Sequence, residues 1–142
     1  MKFTLITVAT EEIGYYKVLK ETAKRHDYEL VTLGLGKVWS GYTMKYRLMV
    51  DYLDTRIIDP NSEEEILVFL DGYDTFILND VKLLQTRYES FDKPLVFGAQ
   101  WNRKKGGKFT HFIIKTFSSG FDIILNSGSY MGPISIIKEK FK

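Results

Sequence analysis

A pair of acidic residues follows the most apolar segment of the sequence. Residues 66–70 read Ile-Leu-Val-Phe-Leu, and Asp-Gly-Tyr-Asp follows at 71–74. Two carboxylates on one turn can converge on a hard cation, whereas without a cation they would repel each other. Ligands made only of oxygen favour Mg²⁺ or Mn²⁺ over zinc or copper. Such a cation stabilises a departing nucleoside diphosphate, which predicts metal-assisted nucleotide chemistry at Asp71 and Asp74.

The same pattern has an ordinary structural interpretation. An acidic residue after a strand often caps a turn or the next helix, and Asp-x-x-Asp occurs by chance in many proteins. The position favours the metal, because ionised carboxylates beside a buried strand need a partner. Tyr73, between the two acids, could stack on a base, but on spacing alone it could equally be a core tyrosine. Both alternatives stay open at this point.

Short apolar segments alternate with amphipathic ones along the chain. The predicted strands are 3–9, 28–33, 66–70 and 95–98. The predicted helices are 11–26 with Thr10 as its cap, a segment around 44–53, a segment from about 80, and one from Pro133 onward. Residues 100–110 are predicted to form an irregular loop. Strands alternating with helices predict one α/β domain over residues 1–142, with a largely parallel sheet.

Parallel sheets place their ligand sites in a known position. The ligand lies beyond the carboxyl ends of the strands. That rule directs attention to Val8-Ala9-Thr10, to Gly34-Leu35-Gly36 and to the acidic turn at 71–74.

Composition argues against several other classes of protein. The net charge is +2 and the densest basic cluster, at 103–108, is short, so no nucleic-acid partner is expected. The absence of cysteine removes disulfides, thiolate metal sites and cysteine nucleophiles. The sequence contains no signal-peptide pattern and no long apolar stretch, so no membrane partner is expected. A cytoplasmic location is the default expectation.

Four segments, in order and at similar spacing, resemble the glycosyltransferase domain at the amino end of procollagen lysyl hydroxylases and its relatives. They are 7–10, 33–36 with Trp39 just after, 71–74 and 125–132. The resemblance covers nearly the whole chain but only the first half to two-thirds of the family's domain. It implies an A-type glycosyltransferase fold, which is Rossmann-like, incomplete at the carboxyl end in this chain.

The resemblance also implies a donor site for a UDP-sugar. Asp71 and Asp74 would bind Mn²⁺, or Mg²⁺, and through it the diphosphate. The residues implied to contact the nucleotide sugar are Val8, Ala9, Thr10, Trp39, Lys45, Asp71, Gly72, Tyr73, Asn126, Ser127 and Gly128.

Specific roles follow within that set. Val8, Ala9 and Thr10 would line the uridine pocket, and Tyr73 would stack on the uracil. Trp39 would lie near the transferred sugar, Lys45 would contact the donor, and the turn at 126–128 would close the floor beneath the sugar. Trp39 could instead be a core tryptophan, and Lys45 a solvated helix lysine.

The sequence departs from the family's pattern in several places. The glycine-rich loop before the lysine is shortened to Ser-Gly-Tyr-Thr at 40–43, and Gln100 stands where the family has an acid. The family's acidic acceptor-side loop and its downstream metal-binding histidine have no counterpart before Lys142. His26 and His111 are not placed to substitute for that histidine. The expectation is a fragment or a shortened protein.

Three interpretations remain, of which the weakest is an α/β domain with no nucleotide site. The first is a metal-dependent glycosyltransferase, or its donor-binding portion, that uses UDP-glucose or UDP-galactose. By resemblance, its acceptor would be hydroxylysine of a collagen-like chain, and the family setting would be the ER lumen. The alternative is a catalytically inactive module with a truncated glycosyltransferase fold that binds a nucleotide or a partner. No spacing suggests a Ser-His-Asp triad or a Walker loop.

Overall fold

The computed structural model describes residues 1–59, 61–101 and 123–141. Within these ranges, strands and helices alternate along most of the chain. In chain order they are β1 (Lys2–Val8), α1 (Tyr16–Arg25), β2 (Glu29–Leu33), α2 (Tyr42–Thr55), β3 (Glu65–Asp71), α3 (Val81–Ser90), β4 (Val96–Trp101), β5 (Ile123–Pro133) and α4 (Ile134–Lys140).

The strands form one sheet in the order β2-β1-β3-β5-β4. β1 pairs in parallel with both β2 and β3, whereas β5 runs antiparallel between β3 and β4. The predicted α/β class with a largely parallel sheet is therefore confirmed. β5 was not predicted as a strand, because its Asn-Ser-Gly-Ser segment is typical of a turn. The residues on either side of that segment pair with β3 and β4 and hold it within the strand.

Helices cover both faces of the sheet. On one face, α2 and α4 pack their apolar side chains, among them Leu48, Met49 and Ile137, against Phe69 of β3. On the other face, Ala23 of α1 and Tyr88 of α3 belong to a second core cluster with β1 and β3. Burying one such large side chain contributes about 1.5–3 kcal/mol. No helix in the described ranges is both long enough and apolar enough to cross a membrane.

Two local predictions need correction. α1 begins at Tyr16 rather than near Glu11, and Thr10 is not its cap, because residues 9–15 form an irregular connection after β1. Gln100 belongs to β4 rather than to a loop, since the pairing of β4 with β5 continues to Trp101. The rest of the predicted loop, residues 102–110, lies outside the described residues. The prediction of α3 is confirmed, because the Asp80 carboxylate accepts the Leu83 N–H at 3.0 Å as its N-cap.

The central strand β3 gives a direct test of this fold. Leu67 in β3 is 1% exposed, so Leu67→Ala should lower the free energy of unfolding by about 2–5 kcal/mol through lost burial and a residual cavity. Urea unfolding followed by circular dichroism measures the loss. The control is Leu78→Ala, because Leu78 is 71% exposed and its truncation should cost about 0.5 kcal/mol or less. Equal losses in the two variants would contradict the assigned core.

Candidate functional site

The register between β1 and β3 creates a cavity at the carboxyl edge of the sheet. Val8, the last residue of β1, is the register partner of Asp71, the last residue of β3. Beyond this pair lies a cavity of about 450 Å³. It is lined by residues from several loops and from α2: Val8, Thr10, Glu11, Ile13, Trp39, Tyr42, Lys45, Asp71, Gly72, Tyr73 and Asp74. The cavity therefore lies where parallel sheets bind their ligands.

Gly72 allows the chain after β3 to pass close to β1. A β-carbon at Gly72 would lie 2.8 Å from the Val8 carbonyl oxygen and 2.9 Å from the Thr7 hydroxyl oxygen. Neither distance is compatible with a real side chain, so any other residue would push the acidic turn away from β1. Ala9 is buried against the same glycine and supports the cavity from behind without lining it.

Tyr73 ties the acidic turn to the loop after β1. Its hydroxyl oxygen accepts the backbone N–H groups of Thr10 at 2.9 Å and Glu11 at 3.1 Å. The hydroxyl also donates to the Glu11 carbonyl at 3.3 Å. These bonds fix the irregular segment after β1, and they explain why Thr10 is not free to cap a helix. The ring of Tyr73 remains partly exposed and forms one wall of the cavity.

The hydrogen bonds to Tyr73 also affect its ionisation. Burial is the largest single effect and raises the pKa of Tyr73. Hydrogen bonds with the Thr10 side chain and with the backbone of Glu11 and Thr10 act in the opposite direction, and together they lower the pKa below its ordinary value. The phenolate accepts the same donors more strongly than the phenol does. Any stability that this shift supplies therefore appears as the pH rises through the lowered pKa towards the ordinary value near 10.

Lys45 of α2 supplies a positive charge at the centre of the site. Its Nζ forms an ion pair with Asp71 Oδ1, and it lies 5.8 Å from the centre of the Phe69 ring. The side chains of Lys45 and Asp71 are 27% and 32% exposed, so solvent reaches the pair from the cavity. The backbone oxygen of Asp71 accepts the Thr75 hydroxyl. Asp71 is thus held in place through both its side chain and its backbone.

Asp71 and Asp74 have the donor chemistry for a hard divalent cation. Both are carboxylates, both line the same cavity, and Asp74 is exposed. No group of three or more His, Cys, Asp or Glu side chains able to hold a metal occurs in the described part of the chain. One or two carboxylates suffice for Mg²⁺-type sites when phosphate oxygens of a substrate complete the coordination. The two aspartates fit a cation that arrives together with a phosphorylated ligand.

Aromatic side chains form the outer wall of the cavity. Trp39 and Tyr42 meet edge to face with their ring centres 6.2 Å apart. Trp39 is partly exposed, and Tyr42 is 86% exposed at the start of α2. Trp39 is therefore not a core tryptophan, and its ring faces the same space as the acidic turn.

The predicted turn at 126–128 lies inside β5 as a bulge. Phe97 and Gly98 of β4 are adjacent, but their partners on β5 are Tyr130 and Asn126, so residues 127–129 have no register partner on β4. The Asn126 Oδ1 accepts the Gly128 N–H at 2.8 Å. A β-carbon at Gly128 would collide with the Asp71 carboxylate, so the bulge packs directly against that side chain.

Most of the predicted site residues meet at one place. Val8, Thr10, Trp39, Lys45, Asp71, Gly72, Tyr73 and Asp74 line the cavity. Three of the others lie behind or beside it: Ala9 is buried against Gly72, Gly128 touches Asp71, and Ser127 lines a neighbouring cavity. The Asn126 side chain is occupied by the Gly128 N–H. Sequence reasoning missed Glu11, Ile13 and Tyr42, although Glu11 directly follows the predicted Val-Ala-Thr segment.

Comparison with known families gives a match over almost the whole chain. Residues 1–141 match the family described as the PLOD GT domain. A multifunctional procollagen lysine hydroxylase and glycosyltransferase from Caenorhabditis elegans is 29% identical over 92% of this chain and 19% of its own length. The LH3 form of the same enzyme from Rattus norvegicus is 30% identical over 70% of this chain and 14% of its own length. The chain thus spans less than a fifth of the length of these relatives.

A solved structure shares the fold at much lower sequence identity. The crystal structure of A197 from STIV superposes with a TM-score of 0.56 at 16% identity. The match covers 100% of this chain and 69% of A197. At this identity the likeness concerns the fold alone.

Removing the Tyr73 hydroxyl tests the link between the acidic turn at 71–74 and the segment after β1. Tyr73→Phe should lower the free energy of unfolding by about 0.5–1.5 kcal/mol and should speed hydrogen exchange at the Thr10 and Glu11 amides. Mass spectrometry or NMR reads the exchange. Tyr42→Phe serves as the control, because Tyr42 lines the same cavity and its hydroxyl has no hydrogen bond within the described ranges. Unchanged exchange at both amides in Tyr73→Phe would contradict the proposed tie.

Proposed function

Because the chain belongs to the PLOD GT domain family, we propose that its cavity binds a UDP-sugar together with Mn²⁺ or Mg²⁺. Membership confirms the resemblance and the A-type α/β fold predicted from the sequence, and it supports a glycosyltransferase-type function. Since the chain covers 19% and 14% of the two relatives, their full activities are not carried over to it. The chain would therefore be the donor-binding part of a metal-dependent glycosyltransferase.

One observation carries this proposal. A single cavity brings together two carboxylates, one lysine and a partly exposed tyrosine ring at the carboxyl edge of the sheet. These groups suit the parts of a nucleoside diphosphate: carboxylates for a cation on the phosphates, a lysine for phosphate charge and a ring for the base. The cavity volume of about 450 Å³ is within the range of ordinary small-molecule sites.

The residues of this chain would divide the work by position. Asp71 and Asp74 would hold the cation, and the cation would neutralise charge on the departing diphosphate. Tyr73 would present its ring to the uracil while its hydroxyl stays bonded to Thr10 and Glu11. Trp39 and Tyr42 would shield the opposite side of the ligand from water.

Lys45 would change partners when the ligand binds. In the ligand-free chain its ammonium group neutralises Asp71, which offsets the repulsion between the two aspartates. A cation on Asp71 removes the need for that pairing and repels the ammonium group. Lys45 would then turn towards the phosphates, which offer a new negative partner within the same cavity.

The sugar and the acceptor follow from the family rather than from the cavity. We propose UDP-glucose or UDP-galactose as donor and hydroxylysine of a collagen-like chain as acceptor, since both relatives are named as procollagen lysine hydroxylases and glycosyltransferases. If the chain binds UDP-sugar but releases no UDP from it, the alternative holds: a binding module with a glycosyltransferase fold.

Asp74 provides the first test of this proposal. Asp74→Asn keeps the side-chain shape but removes the charge, so the affinity for UDP in the presence of Mn²⁺ should fall about tenfold or more. Isothermal titration calorimetry measures it, with Asp51→Asn as the control because Asp51 is exposed on α2 and lines no described cavity. The metal assignment would be wrong if Asp74→Asn bound UDP and Mn²⁺ like the unmodified chain.

Lys45 provides a test with two opposite outcomes. Lys45→Met should weaken UDP binding about tenfold by removing a charged contact, and should strengthen the binding of Mn²⁺ alone several-fold by releasing Asp71. Electron paramagnetic resonance of free Mn²⁺ measures the second effect without nucleotide. Lys17→Met on α1 is the control, since Lys17 is exposed and away from the cavity. Loss of Mn²⁺ binding in Lys45→Met would argue against the exchange of partners.

A further inference from the structure

A second, smaller cavity adjoins the nucleotide cavity at Lys45. Its volume is about 200 Å³, and it shares Lys45 and Tyr42 with the first cavity. It extends between α2 and β5, where Ser127 and Tyr130 contribute to its lining. Pockets for drug-sized ligands usually measure roughly 300–1,000 Å³, so this one suits a single ring rather than a nucleoside.

The walls of the second cavity are mainly aromatic. The rings of Phe69 and Tyr130 stack with centres 4.9 Å apart, and those of Tyr46 and Phe141 stack at 5.5 Å. Tyr130 also meets Phe141 at 5.9 Å, which joins the two stacks. The cavity therefore combines rigid apolar faces with few polar groups, the usual composition of a ligand site.

Tyr130 is the most deeply buried polar group of this cavity for which the described residues supply no partner. Its side chain is 8% exposed, and its hydroxyl forms no hydrogen bond with any described residue. Tyr130 is one of the residues that line the cavity, and no fully buried side-chain oxygen or nitrogen in the described ranges lacks a partner, which fits a hydroxyl that reaches the cavity. Tyr46 differs, because its hydroxyl donates to the Phe141 carbonyl at 2.6 Å.

A nearly buried hydroxyl without a partner costs free energy that a ligand can recover. Burial raises the pKa of Tyr130, so the phenol keeps its proton at neutral pH and can donate it in a hydrogen bond. Site groups that are left unpaired discriminate strongly for ligands that carry a matching hydroxyl. A hydroxyl-rich ring is the chemical class that fits this cavity.

We infer that the second cavity holds the hexosyl group of the UDP-sugar and that the Tyr130 hydroxyl hydrogen-bonds one of its hydroxyl groups. The inference rests on the proposed function, which places the diphosphate at Asp71 and Lys45. The hexose follows the diphosphate in the covalent structure of the donor, and the second cavity begins at the same lysine. Tyr130 is thereby a specificity-determining residue for the sugar, not for the nucleotide.

The test compares three ligands in the presence of Mn²⁺: UDP, UDP-glucose and UDP-galactose. Tyr130→Phe keeps the ring and its stacking but removes the hydroxyl. The affinity for at least one UDP-hexose should fall about three- to tenfold, the effect of one neutral hydrogen bond, while the affinity for UDP stays unchanged. Tyr28→Phe is the control, because Tyr28 packs against the core cluster on the opposite face of the sheet.

The outcomes separate the inference from the proposed function. If Tyr130→Phe weakens UDP and both UDP-hexoses equally, or weakens none of them, the sugar is not held at Tyr130 and the inference is overturned, while UDP binding still supports the proposed function. If the unmodified chain does not bind UDP with either Mn²⁺ or Mg²⁺, the inference and the proposed function are both contradicted. Urea unfolding of Tyr130→Phe checks that the variant is folded when it is titrated.

Discussion

The parallel pairing of β1 with β3 is the constraint on which the site depends. Its register ends both strands at the same level, with Val8 beside Asp71. The chains that leave these strands must therefore run side by side, and Gly72 is the residue small enough to let them do so. Tyr73 then reaches the amides of Thr10 and Glu11. A slip of one residue would reverse the side chains of β3 between the two faces and separate these groups.

Asp71 is the point where three parts of the fold meet. Lys45 from α2 neutralises its carboxylate, Thr75 holds its carbonyl, and Gly128 of β5 packs against its side chain. An acidic residue held this way is already oriented before any ligand arrives, which lowers the cost of binding. The ammonium group of Lys45 also offsets part of the repulsion between the two aspartates that share this turn.

The sequence predicted the parallel part of the fold better than the antiparallel part. β1 and β3 are mostly apolar and are buried along almost their whole length, which is the pattern of central strands covered on both faces. β5 contains Asn126, Ser127 and Gly128, whose local preference is for a turn, and it is a strand because the residues flanking this bulge pair with β3 and β4. The acidic pair could be identified from the sequence because two carboxylates close together after an apolar strand are a recognisable pattern of cation ligands. The aromatic cavity was not, because Tyr46, Tyr130 and Phe141 come together only through tertiary packing.

The late position of β5 in the chain has a consequence for biosynthesis. β5 lies between β3 and β4 in the sheet but follows both of them in the sequence. A nascent chain that has left the ribosome only as far as Trp101 therefore exposes one bare edge of β3, while β4 has no strand to join. The sheet can close only after residue 133 has emerged, which leaves an interval in which chaperones, or a neighbouring nascent chain, compete for that edge.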